Sequence, residues 1–364
     1  METTNKYRDL ILEDIPMIDV RAEIEFDKGT FLNSVNLPIL DTEQRHVIGA
    51  CYKECGNETA TRLGYEMISG KLREERIQGW VDFIKKNPNA VIYCFRGGSR
   101  STIAQGWINE AINGSIVKVD GGYKAMRNYL IEALNPENIR AIPLVLSGCT
   151  GSGKTDLLNE FNYAVDLEGV ANHRGSAFGN NITPQPTQIS FENNLATAII
   201  KHDYREHKYM LLEDESKNIG RNYMPRELFL HFRTGDVVMV DVPMEQRIEN
   251  ILKDYVHRPQ EQYSIICKEN ENPLETWYNK IITNVNKVQG KLGGDRHKMV
   301  LEQVNEAYAK QLATGETHQH KGWIESLLNY YYDPMYLYSI EKSKRDIIFR
   351  GTTEEVRQYL SQVK

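Results

Sequence analysis

The chain has 364 residues, 40% hydrophobic and 26% charged, with 26 Gly and 12 Pro, a balance that excludes a disordered, collagenous or disulfide-stapled protein. Its length exceeds that of a usual single domain and calls for two hydrophobic cores. The net charge of -6 supplies no global basic field, so a nucleic acid would need a local patch, and no apolar run approaches the roughly 18 residues of a membrane helix.

In chain order, the start METTNKYRDLILEDIP lacks a basic region followed by an apolar stretch, which reads as a cytoplasmic protein. Short apolar runs at 17–20, 90–94 and 116–119 predict strands, and 80–86 and 101–112 carry apolar residues at helical spacing. The polar NPEN stretch at 135–138 marks a linker over about 133–142, ahead of a fresh strand opening at Pro143. Charge does not mark this boundary: 18 basic and 20 acidic residues run up to Arg140, and 26 and 30 lie beyond it.

The second half predicts strands at 144–147, 163–167, 209–213 and 237–242, with helices after Lys154, Phe191 and Met244. From about 246 the pattern is helical, with periodic runs at 272–289, 296–312 and 321–330, a final strand at 346–349 and a helix at 353–363. The expected organisation is therefore α/β with parallel sheets: a first domain over 1–135, a second over 143–245, and a mostly helical extension over 246–364.

Of five cysteines, an odd number typical of reduced thiols, Cys51 and Cys55 lack the spacing and companion histidines of a metal pair. Cys94 is different. The run Val91-Ile-Tyr-Cys94-Phe-Arg96-Gly97-Gly98-Ser99-Arg100 leads an apolar strand into a loop and then a helix. Helix N-terminus, loop amides and the two arginines all favour the thiolate, and the glycines allow several N–H groups to face one oxyanion. This pattern suits a phosphatase or a sulfur or selenium carrier.

Gly148-Cys-Thr150-Gly151-Ser152-Gly153-Lys154-Thr155 completes the eight-position phosphate loop between an apolar strand and a helix-forming segment. Its amides would cradle a diphosphate, Lys154 would neutralise outer oxygens, and Thr155 would offer a hydroxyl to Mg²⁺. The acidic strand end at Glu213-Asp214-Glu215 supplies a carboxylate for that metal, with Asp214 the first choice and Glu213 the second. The glycine-punctuated segment 166–179 places His173, Arg174 and Ser176 as candidate ligand or RNA contacts, as is Arg221.

Together these motifs resemble the tRNA 2-selenouridine synthase family, which joins an N-terminal rhodanese domain to a P-loop domain. The match runs through IDVR (18–21), VNLP (35–38), CYK (51–53), YCFRGG-RS (93–101), GGYKAMR (121–127), GCTGSGKT (148–155), DLEG-ANHRGSAFG (166–179), EDES (213–216), IGR (219–221) and YYDPMY (331–336). The resemblance implies a rhodanese-like first domain with Asp19 and Arg21 at its structural start, and a P-loop NTPase-like second domain. It implies geranylation of a wobble 2-thiouridine in the tRNA anticodon stem-loop by geranyl diphosphate, then displacement of the geranylated sulfur by selenium from selenophosphate.

Under that reading Cys94 carries selenium as a selenylated cysteine, Arg96, Gly97, Gly98, Ser99 and Arg100 receive selenophosphate oxygens, and the phosphate loop holds the prenyl diphosphate. No tightly bound organic cofactor is expected, and Mg²⁺ is. The tyrosines of 330–336 are candidates for stacking a base or covering the prenyl chain. Residues 280–350 hold eleven Lys or Arg against eight Asp or Glu, including Lys287, Lys291, Arg296, Lys298 and the 342–345 group, a candidate tRNA stripe. The alternatives are an ATP-dependent kinase fused to a rhodanese-type sulfur donor, and a cysteine phosphatase.

Overall fold

Short strands that read as near-continuous apolar runs suit parallel sheets covered on both faces, and the computed structural model, which describes residues 2–343 and 345–363, contains two of them. The chain divides into two units, Met1–Ile139 with Pro186–Tyr204, and Arg140–Gln185 with Arg205–Lys364.

In the first unit, β1 (Thr3–Thr4), β2 (Met17–Asp19), β3 (Ser34–Asn36), β4 (Val91–Tyr93) and β5 (Val117–Val119) form a parallel sheet in the order β1-β5-β4-β2-β3. Ile18, Val20, Trp80, Ile92, Trp107 and Ile108 build a core beneath it. Burial of each such side chain contributes about 1.5–3 kcal/mol. The helix Thr42–Met67 has no sequence forecast. Ala60 is its one fully buried residue, so it shows no apolar stripe for periodicity to detect.

The helix Gln188–Tyr204 lies within the expected 143–245 domain by sequence but groups with the first unit. It packs against the helices Gly122–Ala133 and Tyr7–Leu12. Phe191 is fully buried, Arg127 pairs with Glu192, Asn193 donates to Thr30 O at 2.8 Å, and Lys201 pairs with Asp14 at 2.5 Å. The second unit is therefore not a single contiguous segment.

That second unit carries β6 (Ile142–Ser147), β7 (Tyr209–Glu213), a small antiparallel pair β8 (Asn218–Ile219) and β9 (Asn222–Tyr223), β10 (Asp236–Val240) and β11 (Ile347–Gly351). The main sheet is parallel, in the order β11-β10-β6-β7. The strand expected at 163–167 reduces to one parallel bridge, Ala164 to Leu211, before the chain turns into the helix Leu167–Ala171. Asp166 caps that helix by accepting from Gly169 N, and the cap ends the extended backbone.

Beyond β10 the chain is mostly helical, and it builds a separate core from Trp277, Ile281, Val285, Val300, Val304 and Trp323. The chain then returns to the sheet edge as β11 and closes with the helix Thr353–Gln362, opened by a reciprocal Thr352–Glu355 capping box. Among the described residues no helix is long and apolar enough to cross a membrane.

Candidate functional site

The first centre lies where β4 ends. Cys94 is buried, at 3% exposure, and the hydroxyl of Ser101, in the first turn of the helix Ser99–Ile112, donates to its sulfur at 3.1 Å. The loop is tied down from behind: Tyr123 N donates to Cys94 O and Lys124 N to Phe95 O, both at 2.9 Å. This close approach requires Gly122, at φ 59°, because a Cβ there would overlap Cys94 O. Lys118 Nζ fixes the far side by donating to Gly97 O at 3.1 Å and to Thr102 Oγ1 at 2.8 Å.

Asp19 and Arg21 are buried as a bidentate ion pair at the end of β2, and the Arg21 guanidinium lies 3.8 Å from the Tyr123 ring centroid. Arg96 is exposed on the loop and Ser99 at the first position of the helix that follows, while Arg100 lines the cavity beside Cys94 but is already paired. Its guanidinium donates to Glu25 at 2.5 and 3.1 Å, and Arg45 pairs with the same carboxylate at 2.8 Å. Burial works against the charge of Glu25, but the two arginines prevail and hold its carboxyl below the usual range. Arg100 thus anchors the loop to the helix Glu23–Lys28, leaving Arg96 as the exposed arginine of the motif. A cavity of about 980 Å³ adjoins Cys94, lined by Ile48, Tyr65, Ile68, Phe95, Ile103 and Trp107 among others.

The second centre is the phosphate loop between β6 and the helix Lys154–Leu158. Two of its carbonyls are held from outside, and within the loop Ser152 N donates to Cys149 O at 3.2 Å. Arg247 Nε donates to Thr150 O at 2.9 Å and Asn250 Nδ2 to Gly151 O at 2.8 Å, both from the helix Met244–Leu252. Arg247 is itself fixed by Asp333, at 2.5 and 2.9 Å. Lys154 Nζ rests on Gly148 O at 2.7 Å and Cys149 O at 3.4 Å.

The Thr155 hydroxyl lies 2.6 Å from Glu213 Oε1 and 3.2 Å from Glu168 Oε2. This reverses the expected ranking of the two metal carboxylates. Neighbouring residues of an extended strand end face opposite ways, so Glu213 meets Thr155 while Asp214 accepts from Arg345 at 2.6 Å and from Ser147 at 2.6 Å. Burial, and next the charge of Glu168, pushes the Glu213 carboxyl up to about 8. Glu168 and Glu215 are raised as well, by burial first and by the neighbouring carboxylates second.

A cavity of about 520 Å³ opens over the loop and includes Gly148, Thr150, Gly151, Ser152, Gly153, Lys154 and Thr155, together with Arg174, Ser176 and Asp214. Its far wall comes from Tyr255, Tyr331, Tyr332, Met335 and Tyr336. Arg174 pairs with Asp254 at 3.2 Å, and Ser176 shares a 2.8 Å hydrogen bond with the Tyr255 hydroxyl. His173 lies in an adjoining cavity of about 470 Å³, where burial lowers its basicity.

Arg221 is not among the residues lining either cavity; its backbone N–H and guanidinium both donate to Gln185. Arg345 is also withdrawn from the expected tRNA stripe by its buried pairing with Asp214, while Lys344 lies outside the described residues. The sequence reading missed Ser101, Glu168, Glu215, Arg247 and Asn250. Ser101, Glu168 and Glu215 stand inside motifs already singled out, but only the fold brings Ser101 to a sulfur and Glu168 to a hydroxyl.

The family model for the tRNA 2-selenouridine synthase AAA domain matches residues 141–364, the stretch that opens on β6 and carries the phosphate loop. A tRNA 2-selenouridine synthase of Sulfurovum sp. is 43% identical over 99% of this chain and 98% of its own length. The chain belongs to the tRNA 2-selenouridine synthase family. Other members resemble it as closely: that of Shewanella frigidimarina is 40% identical over 99% of this chain and 98% of its own length, and that of Shewanella pealeana 42% over 98% and 97%. Family likeness therefore spans both centres, the Cys94 loop as well as the phosphate loop.

Proposed function

We propose that the chain is a tRNA 2-selenouridine synthase, a transferase that geranylates the sulfur of wobble 2-thiouridine and then exchanges the geranylated sulfur for selenium. The observation that carries the reading is the complete phosphate loop facing a cavity with a tyrosine and methionine wall, in a chain similar to such enzymes over nearly its full length. A diphosphate head on the loop amides and Lys154, with an apolar chain against Tyr331, Tyr332 and Met335, fits a prenyl diphosphate. The substrates are geranyl diphosphate, selenophosphate and the anticodon stem-loop of a tRNA in the cytoplasm.

In the first step the base sulfur attacks geranyl C1, the C1–O bond breaks and diphosphate leaves. The loop amides and Lys154 stabilise the charge that develops on that leaving group. Mg²⁺ would add Lewis-acid neutralisation of the same oxygens when bound, and the oxygen donors of Thr155 and Glu213 fit such a hard cation. Asp214, spent on Arg345 and Ser147, is not assigned to it.

The first unit serves the second step as a rhodanese-like domain. Selenium replaces sulfur at C2 of the base and geranylthiol leaves, which is favoured because alkylation has turned a thiocarbonyl sulfur into a better leaving group. Selenium enters and ends at the selenide level, so a resting S–Se adduct on Cys94 would need an outside two-electron oxidant. The electron-balanced role for the Cys94 thiolate is attack on the selenophosphoryl phosphorus, releasing base selenium and forming a thiophosphate that water hydrolyses. Arg96, Ser99 and the Gly97–Gly98 amides would hold the phosphoryl oxygens.

Incubation of 2-thiouridine tRNA with geranyl diphosphate and then selenophosphate tests the reading by mass spectrometry of the nucleosides. The geranylated and selenated products should appear in that order, and a chain that forms neither is not this enzyme.

A further inference from the structure

Three glutamates from two segments converge behind the phosphate loop. Glu168 lies in the helix Leu167–Ala171, Glu213 ends β7 and Glu215 follows it, and one carboxylate oxygen from each falls within 4.8 Å of the other two. Three features mark this as more than an acidic patch. Glu213 is 4% exposed, and its second oxygen, Oε2, has no hydrogen-bond partner, an unusual state for a buried carboxylate oxygen. Thr155 has one hydroxyl proton, yet it faces carboxylate oxygens of both Glu213 and Glu168. Gly175, at φ 49°, closes the opposite side, where any Cβ would overlap Glu168 Oε1 and Glu215 Oε1. A side chain at 175 would thus displace the two carboxylates, which with Gly175 line the cavity over the phosphate loop.

Lys154, the cation of the loop, is turned back onto the Gly148 and Cys149 carbonyls. A diphosphate arriving on the loop amides would add further negative charge beside three carboxylates in a poorly solvated site. All-oxygen donors at this spacing, around a hydroxyl already placed for a metal, match a hard divalent cation.

We propose that Glu168, Glu213 and Glu215, with the Thr155 hydroxyl, form a divalent-cation site that binds together with the diphosphate. Asp214, the acidic neighbour, lies outside it. The inference rests on the phosphate-loop half of the proposed function but not on the prenyl donor, so it survives if geranylation fails.

The test uses the full-length chain, Mn²⁺ followed by electron paramagnetic resonance, and inorganic pyrophosphate. Wild type should bind Mn²⁺ at this site, and pyrophosphate should tighten that binding at least tenfold, about 1.4 kcal/mol of coupling. Glu168→Gln and Glu215→Gln should each weaken Mn²⁺ binding at least tenfold, with far-ultraviolet circular dichroism unchanged. Asp214→Asn should leave it within about twofold. Mn²⁺ affinity that is equal in wild type and both glutamine variants, or pyrophosphate binding that is indifferent to the cation, would overturn the proposal. If Glu168→Gln alters the fold, the Glu215→Gln result decides.

Discussion

Arg247→Met tests how the phosphate loop is held. The Arg247 side chain is 6% exposed and that of Asp333 20%, and Arg247 joins Asp333 to the Thr150 carbonyl. Methionine preserves much of the volume but leaves a largely buried carboxylate uncompensated and the Thr150 carbonyl without its donor. Breaking a buried pair costs about 3–5 kcal/mol, and the residual exposure of Asp333 places this case near 3 kcal/mol. For a unit of this size each kcal/mol lowers the melting temperature by about 2–4 °C, so the transition of the second unit should fall by about 6–12 °C in scanning calorimetry. Arg247→Met combined with Asp333→Leu should recover most of the loss, because the penalty lies in the orphaned charge. Pyrophosphate affinity should nevertheless stay reduced in the double variant, since neither replacement holds the Thr150 carbonyl. A single variant that loses less than about 1 kcal/mol, or a double variant as unstable as the sum of the singles, would refute this account.

Three further predictions follow from named groups. His320 accepts from Trp323 Nε1 at its Nδ1, 2.9 Å away, which leaves Nε2 to donate to Gln311 Oε1 at 2.8 Å. Burial, and next the charge of His257, lowers its basicity from 6.5 to about 4. The unfolded chain therefore binds the extra proton between those values, and about 3 kcal/mol of stability, complete above pH 6.5, is lost as pH falls to 4. Urea titrations across that range should show the slope, and His320→Gln should remove this part of it. Ser101→Ala deletes the hydrogen bond that orients the Cys94 sulfur, worth about 1 kcal/mol, so selenation should slow about fivefold while geranylation is spared. An unchanged selenation rate would show that the hydroxyl does not position the sulfur. Finally, Cys94→Ser should abolish selenation and spare geranylation, while Lys154→Ala should remove geranylation; equal loss of both steps in each variant would contradict the division between two centres.

The two centres were legible because each rests on a contiguous run. Cys94 to Arg100 and Gly148 to Thr155 encode a strand, a turn and a helix start together, and backbone amides in such a loop need no distant partner. Elements that bury a clear stripe were also legible, such as the strands at β4, β6 and β10 and the helices of the C-terminal core. The helix Thr42–Met67 was not, because it buries too little to leave a periodic trace. The run 163–167 is as apolar as a strand, but only one residue pair finds the sheet edge.

Sequence by itself therefore determined that this chain carries a cysteine on a glycine-rich strand-to-helix loop and a phosphate-loop motif, both on α/β scaffolds, since local backbone preference suffices to build both. Tertiary structure decided which side chains serve them. Strand alternation turned Glu213 rather than Asp214 toward Thr155, a glycine at a left-handed turn admitted Glu168 and Glu215 beside it, ion pairing engaged Arg100 and Arg345, and hydrogen bonds to Gln185 engaged Arg221. The helix Gln188–Tyr204 left its sequence neighbours because its buried Phe191 and its Arg127 and Asp14 pairings lie in the first unit. Each of these outcomes turns on direction and burial, which arise when distant segments pack and which no local pattern records.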